Sequence, residues 1–168
     1  MEARFIHKGI SGGSNQKLYT AFLDFQRAFD SVPRRRMWRK LHERFGISGK
    51  LLRVIMDLFT GITGEAVVNG GLTRVFPISS GVLQGSVLGP LLFLLFIDDL
   101  LGKLNDSAGG IAIADSILSV IAYADDVTLL SLKVKKLQRL LDICNNWAIN
   151  NDMNFSLHKC FVAVFNST

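Results

Sequence analysis

The stretch SVIAYADDVTLLSL, Ser119 to Leu132, sets two adjacent carboxylates, Asp125 and Asp126, between two runs of strand-forming apolar residues. That pattern demands strand, tight tip, strand. A polar tip needs only one Asp or Asn, and like charges held side by side repel, so the second acid calls for compensation. Asp24 bears on this, because it ends LYTAFLDF (Leu18 to Phe25), an aromatic-rich apolar run that predicts a buried strand. If the two strands lie side by side, three carboxylates converge at one edge of a sheet. Two readings stand at this point. Either two Mg²⁺ ions held about 3.5–4 Å apart neutralise the acids and serve in-line displacement at phosphorus, or Asp24 ends a strand and the pair makes a solvated turn.

The remaining elements follow from periodicity. Ser31 is expected to cap a helix in which Pro33 costs no hydrogen bond and Met37, Leu41 and Phe45 share a face. A second helix over residues 50–60 carries Leu51, Leu52, Ile55, Met56 and Phe59. EAVVNGGLTRVFPI (Glu65 to Ile78) predicts two short strands around Asn69-Gly70-Gly71. The run VLGPLLFLLFI, Val87 to Ile97, is shorter than the roughly 20 residues a membrane span needs, so it reads as a buried helix. Ile117 to Tyr123 and Val127 to Leu132 form the opening hairpin. A helix with Val134, Leu137, Leu140, Leu141, Cys144 and Trp147 on one side follows, and Cys160 to Phe165 closes as a strand. This order suggests an α+β fold, an antiparallel sheet with helices packed on one face. IAIADS (Ile111 to Ser116) echoes IAYADD (Ile121 to Asp126).

Residues 1–17, polar and rich in Gly and Ser, are expected to form a loose arm before a domain of residues 18–168. Lys and Arg outnumber Asp and Glu by 19 to 14, a formal +5, which permits an anionic partner such as nucleic acid without requiring it. Cys144, Cys160 and the three histidines, His7, His42 and His158, show no zinc-ligand spacing, and the N-terminus has no signal-peptide core. A reduced, intracellular chain with no membrane partner is expected.

AFLDFQRAFDSV, SSGVLQGSVLGPLLFLLFIDDL and YADD, in that order, closely resemble the reverse transcriptase palm, in particular that of non-LTR (LINE-type) retrotransposons. The resemblance runs from about Lys17 to the C-terminus. It implies a polymerase palm that extends a DNA primer with deoxynucleoside triphosphates on an RNA template, using two Mg²⁺ ions, with Mn²⁺ as a substitute. Asp24 then matches the metal-binding acid of the first motif, with the Phe25 backbone carbonyl as its partner. Asp125 matches the principal acid of the YxDD box, and Asp126 its less essential neighbour. Tyr123 would pack beneath the primer end, or serve as an ordinary core aromatic. Phe29 would stand against the sugar's 2′ carbon and exclude a hydroxyl. Gln84 and Gly85 match the motif that contacts nucleotide and template. Lys159 matches a late lysine able to protonate pyrophosphate, an ammonium with an ordinary pKa near 10.4 being a competent acid, or it is a surface lysine.

Asp30 is expected to start or cap the following helix, Asp98 and Asp99 to be structural, and Asp115 to be solvated. Arg34, Arg35, Arg36, Arg39 and Lys40 are expected either to meet phosphates or, more simply, to form a solvated helix face. The family places fingers before such a palm and a thumb after it. Neither is recognised in these residues, so the palm alone is expected to synthesise DNA poorly. The rival reading is a truncated relic without catalysis that at most binds nucleic acid weakly. Phe29 and the Gln84 loop argue against a third, a cyclase-like palm enzyme.

Overall fold

The computed structural model describes residues 4–7 (backbone only), 16–83, 85–113 and 115–166. In chain order the elements are β1 (Arg4–His7), β2 (Leu18–Asp24), α1 (Ala28–Ser31), α2 (Arg34–Phe45), α3 (Gly49–Asp57), β3 (Thr63–Gly64), β4 (Val67–Val68), β5 (Gly71–Leu72) and β6 (Phe76–Pro77), then α4 (Leu88–Asp106), β7 (Ile111–Ile113), β8 (Ser116–Leu118), β9 (Val120–Tyr123), β10 (Asp126–Ser131), α5 (Val134–Asn150) and β11 (Phe161–Phe165). The fold is α+β. The chain divides into two compact units, Met1–Ala28 with Ile97–Thr168, and Phe29–Phe96.

The first unit holds a five-stranded sheet in the order β1-β11-β2-β10-β9. β11, β2, β10 and β9 pair antiparallel, as expected, and β1 adds a parallel edge strand. Arg4–His7, inside the stretch expected to be a loose arm, is therefore a strand in its backbone. Alternation gives the sheet two different faces. Ala21, Leu23, Val127 and Leu129 form one, all buried, and α5 lies against β2 and β10 with Leu137, Leu140, Cys144 and Trp147 turned inward. Val134, expected on that inner side, is exposed. Phe22, Asp24, Asp126 and Thr128 occupy the opposite face. Because the period is two, a slip of one residue would exchange these sets, so burial of the apolar face fixes where the acids point.

The second unit confirms the Asn-Gly hairpin. β4 pairs with β5 around Asn69 and Gly70, both at positive φ (51° and 81°), as a type I′ turn requires. β3 pairs with β6 outside it. Two expectations fail here. Ser31 ends α1, and the N-cap position of α2 falls on Pro33 instead, whose carbonyl receives the first helical bonds of α2, from Arg36 and Met37. The helix α3 ends at Asp57, so Phe59, expected on it, lies beyond it and is buried, while Leu51, Val54 and Met56 on the helix are exposed.

Arg34 and Lys40 also depart from both readings offered for them. The Arg34 guanidinium donates to the carbonyls of Gly81, Phe59, Ile78 and Ser80 at 2.8–3.0 Å and lies over the Phe59 ring. Lys40 is buried and donates to the Phe96 carbonyl at 2.8 Å. A fork of fixed donors suits the orphan carbonyls of an irregular loop, and buried charge needs such partners. Both are internal braces.

Candidate active site

The site begins with register. β10 pairs with β2 so that Asp126 stands directly opposite Asp24, with Thr128 opposite Phe22 one row down. β11 continues that row on the other side of β2, Phe161 opposite Phe22, and the two rings stack at 4.6 Å. Asp24, Asp126, Thr128, Phe22, Phe161 and Lys159 line a cavity of about 260 Å³. Two aromatic rings and three charged groups share its lining.

Asp24 Oδ1 is buried and has no hydrogen-bond partner, while Oδ2 accepts from Lys159 Nζ at 3.2 Å. Leaving a buried carboxylate oxygen unpartnered is costly, and Oδ1 keeps its lone pairs uncommitted. The backbone here is pinned independently. Ser156 N–H donates to the Asp24 carbonyl at 2.8 Å, and Lys159 N–H donates to the Ser156 carbonyl at 2.8 Å. The turn that carries Lys159 is thus tied to the strand end that carries Asp24.

Next to Asp24, the Phe25 ring is buried, stacked on Phe155 at 4.5 Å and edge-on to Trp147 at 5.9 Å. The Trp147 indole N–H donates to Asp99 Oδ1 at 2.9 Å. This gives Asp99 the structural task expected of it, holding the indole against which the Phe25 ring packs. Burial raises the pKa of the Cys160 thiol; its hydrogen bond to the Asp24 carbonyl at 3.9 Å opposes the rise and the Asp24 charge adds to it. Cys144, buried in α5, is pushed up to about 12 by burial, so it stays a thiol.

The hairpin tip is tight. Tyr123 pairs with Asp126, leaving Ala124 and Asp125 as the two turn residues. Ala124 has φ 53° and Asp125 is not positive, the φ signs of a type II′ turn whose first position glycine normally takes. Asp125 therefore lies one residue beyond the ladder, outside the residues lining the cavity, and Asp126 is the acid that the register brings to Asp24. Tyr123 is 83% exposed, which excludes its reading as a core aromatic.

The other expected residues belong to the second unit. Phe29 lies in α1 with its ring 4.9 Å from Phe93. The Asp30 carbonyl accepts from Ser80 Oγ at 3.0 Å. Gly85 is exposed with φ 79°, a conformation that suits glycine. Gln84 lies outside the described residues.

Among the described residues no three His, Cys, Asp or Glu side chains form a group able to hold a metal ion. The donors that are present still suit a hard divalent cation, because they are carboxylate oxygens and one is uncommitted. Sequence reasoning named both acids and the lysine but missed Ser156 and Phe161. Ser156 acts through its backbone, which leaves no mark in side-chain chemistry.

The chain is 33% identical over 127 residues to the retrovirus-related Pol polyprotein from type-1 retrotransposable element R2 of Popillia japonica, covering 75% of this chain and 20% of that protein. It is 30% identical over 152 residues to the RNA-directed DNA polymerase from mobile element jockey of Drosophila funebris, covering 87% and 16%. The chain thus spans a fifth or less of these relatives. In structure it is similar to apo telomerase from Candida tropicalis truncated from its C-terminal domain, with a TM-score of 0.68 at 13% identity over 91% of this chain and 32% of that one. It is also similar to telomerase from Candida albicans in complex with a fragment of telomeric RNA, with a TM-score of 0.63 at 14% identity over 86% and 27%. These two share the fold. The family model described as reverse transcriptase (RNA-dependent DNA polymerase) matches residues 6–166.

Proposed function

The chain belongs to the reverse transcriptase (RNA-dependent DNA polymerase) family, of LINE type, and from that premise we propose that it is the catalytic palm of a retroelement polymerase, adding deoxynucleotides to a primer 3′-hydroxyl on an RNA template. The observation that carries this reading is the strand-end carboxylate of Asp24, with one oxygen buried and unpartnered, set in register with Asp126. Asp24, Asp125 and Asp126, with the Phe25 carbonyl, would hold two Mg²⁺ ions. When bound, such ions make an attacking oxygen available and neutralise charge at phosphorus.

The chain's own residues do the rest. Exposed Tyr123, beside the acids, offers a ring face to a primer end. Lys159, which lines the same cavity as Asp24 and Asp126, supplies an ammonium able to give a proton to departing pyrophosphate. On the wording of their motifs, Phe29 would exclude a 2′-hydroxyl, and Gln84 and Gly85 would meet nucleotide and template. A second reading, a relic that binds nucleic acid without catalysis, is favoured by the lack of a three-carboxylate group among the described residues.

Primer extension on an RNA template with Mg²⁺ separates the two. Extension by the chain that disappears in Asp24→Asn and in Asp125→Asn supports the polymerase. A folded chain that neither extends a primer nor takes up Mn²⁺ supports the relic.

A further inference from the structure

We propose that Lys159 is a displaceable counter-ion of Asp24, neutralising the carboxylate before a divalent cation binds and leaving Oδ2 as the cation enters, so that this lysine sets the site's metal affinity. The inference rests on the reading of Asp24 as a metal-binding acid, and it assigns to this chain's own ammonium a competitor's part.

Three observations carry it. The first is occupancy: Nζ stands 3.2 Å from Oδ2, while Oδ1 of the same carboxylate is buried and unpartnered. Oδ1 is closed to solvent, so an incoming cation first competes with the ammonium for Oδ2. The second is anchoring. The Lys159 N–H donates to the Ser156 carbonyl and the Ser156 N–H donates to the Asp24 carbonyl, so the lysine's backbone cannot drift from the acid it pairs with. The third is release. The Lys159 side chain is 59% exposed against 21% for Asp24, and an ion pair so open to water is weak. Its long stem can swing into solvent, where an ammonium is well hydrated.

The charge around the pair gives the exchange a direction. Asp126 lies directly across the ladder from Asp24 and Asp125 follows in the tip, so one ammonium leaves the cluster negative. A divalent cation brings twice the charge to the same oxygens, and the lysine yields to it. The ammonium then stands free beside the cavity, available to phosphate oxygens.

Mn²⁺ is the probe, with free ion followed by electron paramagnetic resonance as the chain is titrated, and circular dichroism confirming fold in every variant. Lys159→Met should bind Mn²⁺ roughly twofold to fivefold more tightly than the unmodified chain, the range a partly exposed charge pair allows. Lys159→Arg should restore the weaker affinity, and Asp24→Asn should abolish binding. In EDTA, Lys159→Met should melt no higher than the unmodified chain yet gain a larger rise in Tm from saturating Mn²⁺, a response that loss of a purely structural contact would not produce. Lys159→Gln repeats the comparison if the thioether perturbs the fold. Should the unmodified chain bind and Asp24→Asn not, with Lys159→Met no tighter, the counter-ion role is wrong and the metal reading survives. Should neither the unmodified chain nor Lys159→Met bind, both are wrong.

Discussion

Two stretches of the chain carry nearly the same words, IAIADS at Ile111–Ser116 and IAYADD at Ile121–Asp126, and both lie in antiparallel hairpins of the same register. Ile113 pairs with Ser116 in one, Tyr123 with Asp126 in the other. Their surroundings are not alike. Among the described residues β7 and β8 pair only with each other, whereas β10 has β9 on one side and β2 on the other. In the first hairpin Ile117 is 48% exposed; in the second Leu129 is fully buried. On the function proposed above, the acids at the second tip would owe their chemistry to the third strand that sets Asp24 beside them, and not to the hairpin's own wording.

The sharpest test of that contrast is energetic. Leu129→Ala removes a buried side chain from the joined hairpin and should cost about 2–4 kcal/mol, as such core truncations do. Ile117→Ala, on the free hairpin, should stay within about 0.5 kcal/mol. Urea unfolding of the two variants measures the difference. Equal costs would mean that the first hairpin is as much part of the core as the second.

The tips can then be exchanged. Asp126→Ser gives the second hairpin the residue of the first, and it should weaken Mn²⁺ binding by roughly tenfold or more, at least the loss that follows from disturbing a metal ligand's supports. It should also raise stability by a few tenths of a kcal/mol, since like charges opposite one another across a ladder are unfavourable. Ser116→Asp, the reverse change, should confer no metal binding, because among the described residues no third strand sets an acid beside it. A gain of Mn²⁺ affinity in Ser116→Asp would show that tip wording suffices after all.

How much of this was legible in the sequence follows the same division. β2 ends at Asp24 as its apolar run foretold, and the Asn69-Gly70 turn and the buried helix through Phe93, Phe96 and Ile97 were written in turn chemistry and period. Strands recognised by alternation carry their own register signal, so the meeting of Asp24 with the hairpin could be foreseen. What stayed hidden depends on partners remote in sequence. The chain shows no local mark that Lys40 ends on the Phe96 carbonyl or Arg34 on the carbonyls around Gly81, because any helix with those basic residues looks amphipathic. The exposure of α3 was hidden for the same reason, since a helical period says which residues share a face and not whether anything covers it.

The smallest expected effect concerns the strained residue of the second tip. Ala124 sits at φ 53°, in a region that costs a residue with a Cβ about 1–2 kcal/mol and costs glycine nothing. Glycine loses more freedom on folding, which returns part of that difference. Ala124→Gly should therefore raise stability by up to about 1 kcal/mol in urea unfolding, an unusual sign for a substitution at an active-site candidate. If the alanine serves only as a tolerated turn residue, Mn²⁺ affinity will not change. If it holds Asp125 in place, the more stable variant will bind Mn²⁺ up to about threefold more weakly, because a freer tip must be ordered each time a cation is bound. We expect the second outcome. The joined hairpin carries its acids on a strained alanine where glycine would fit, and strain of this kind persists where the surrounding structure needs the geometry it imposes.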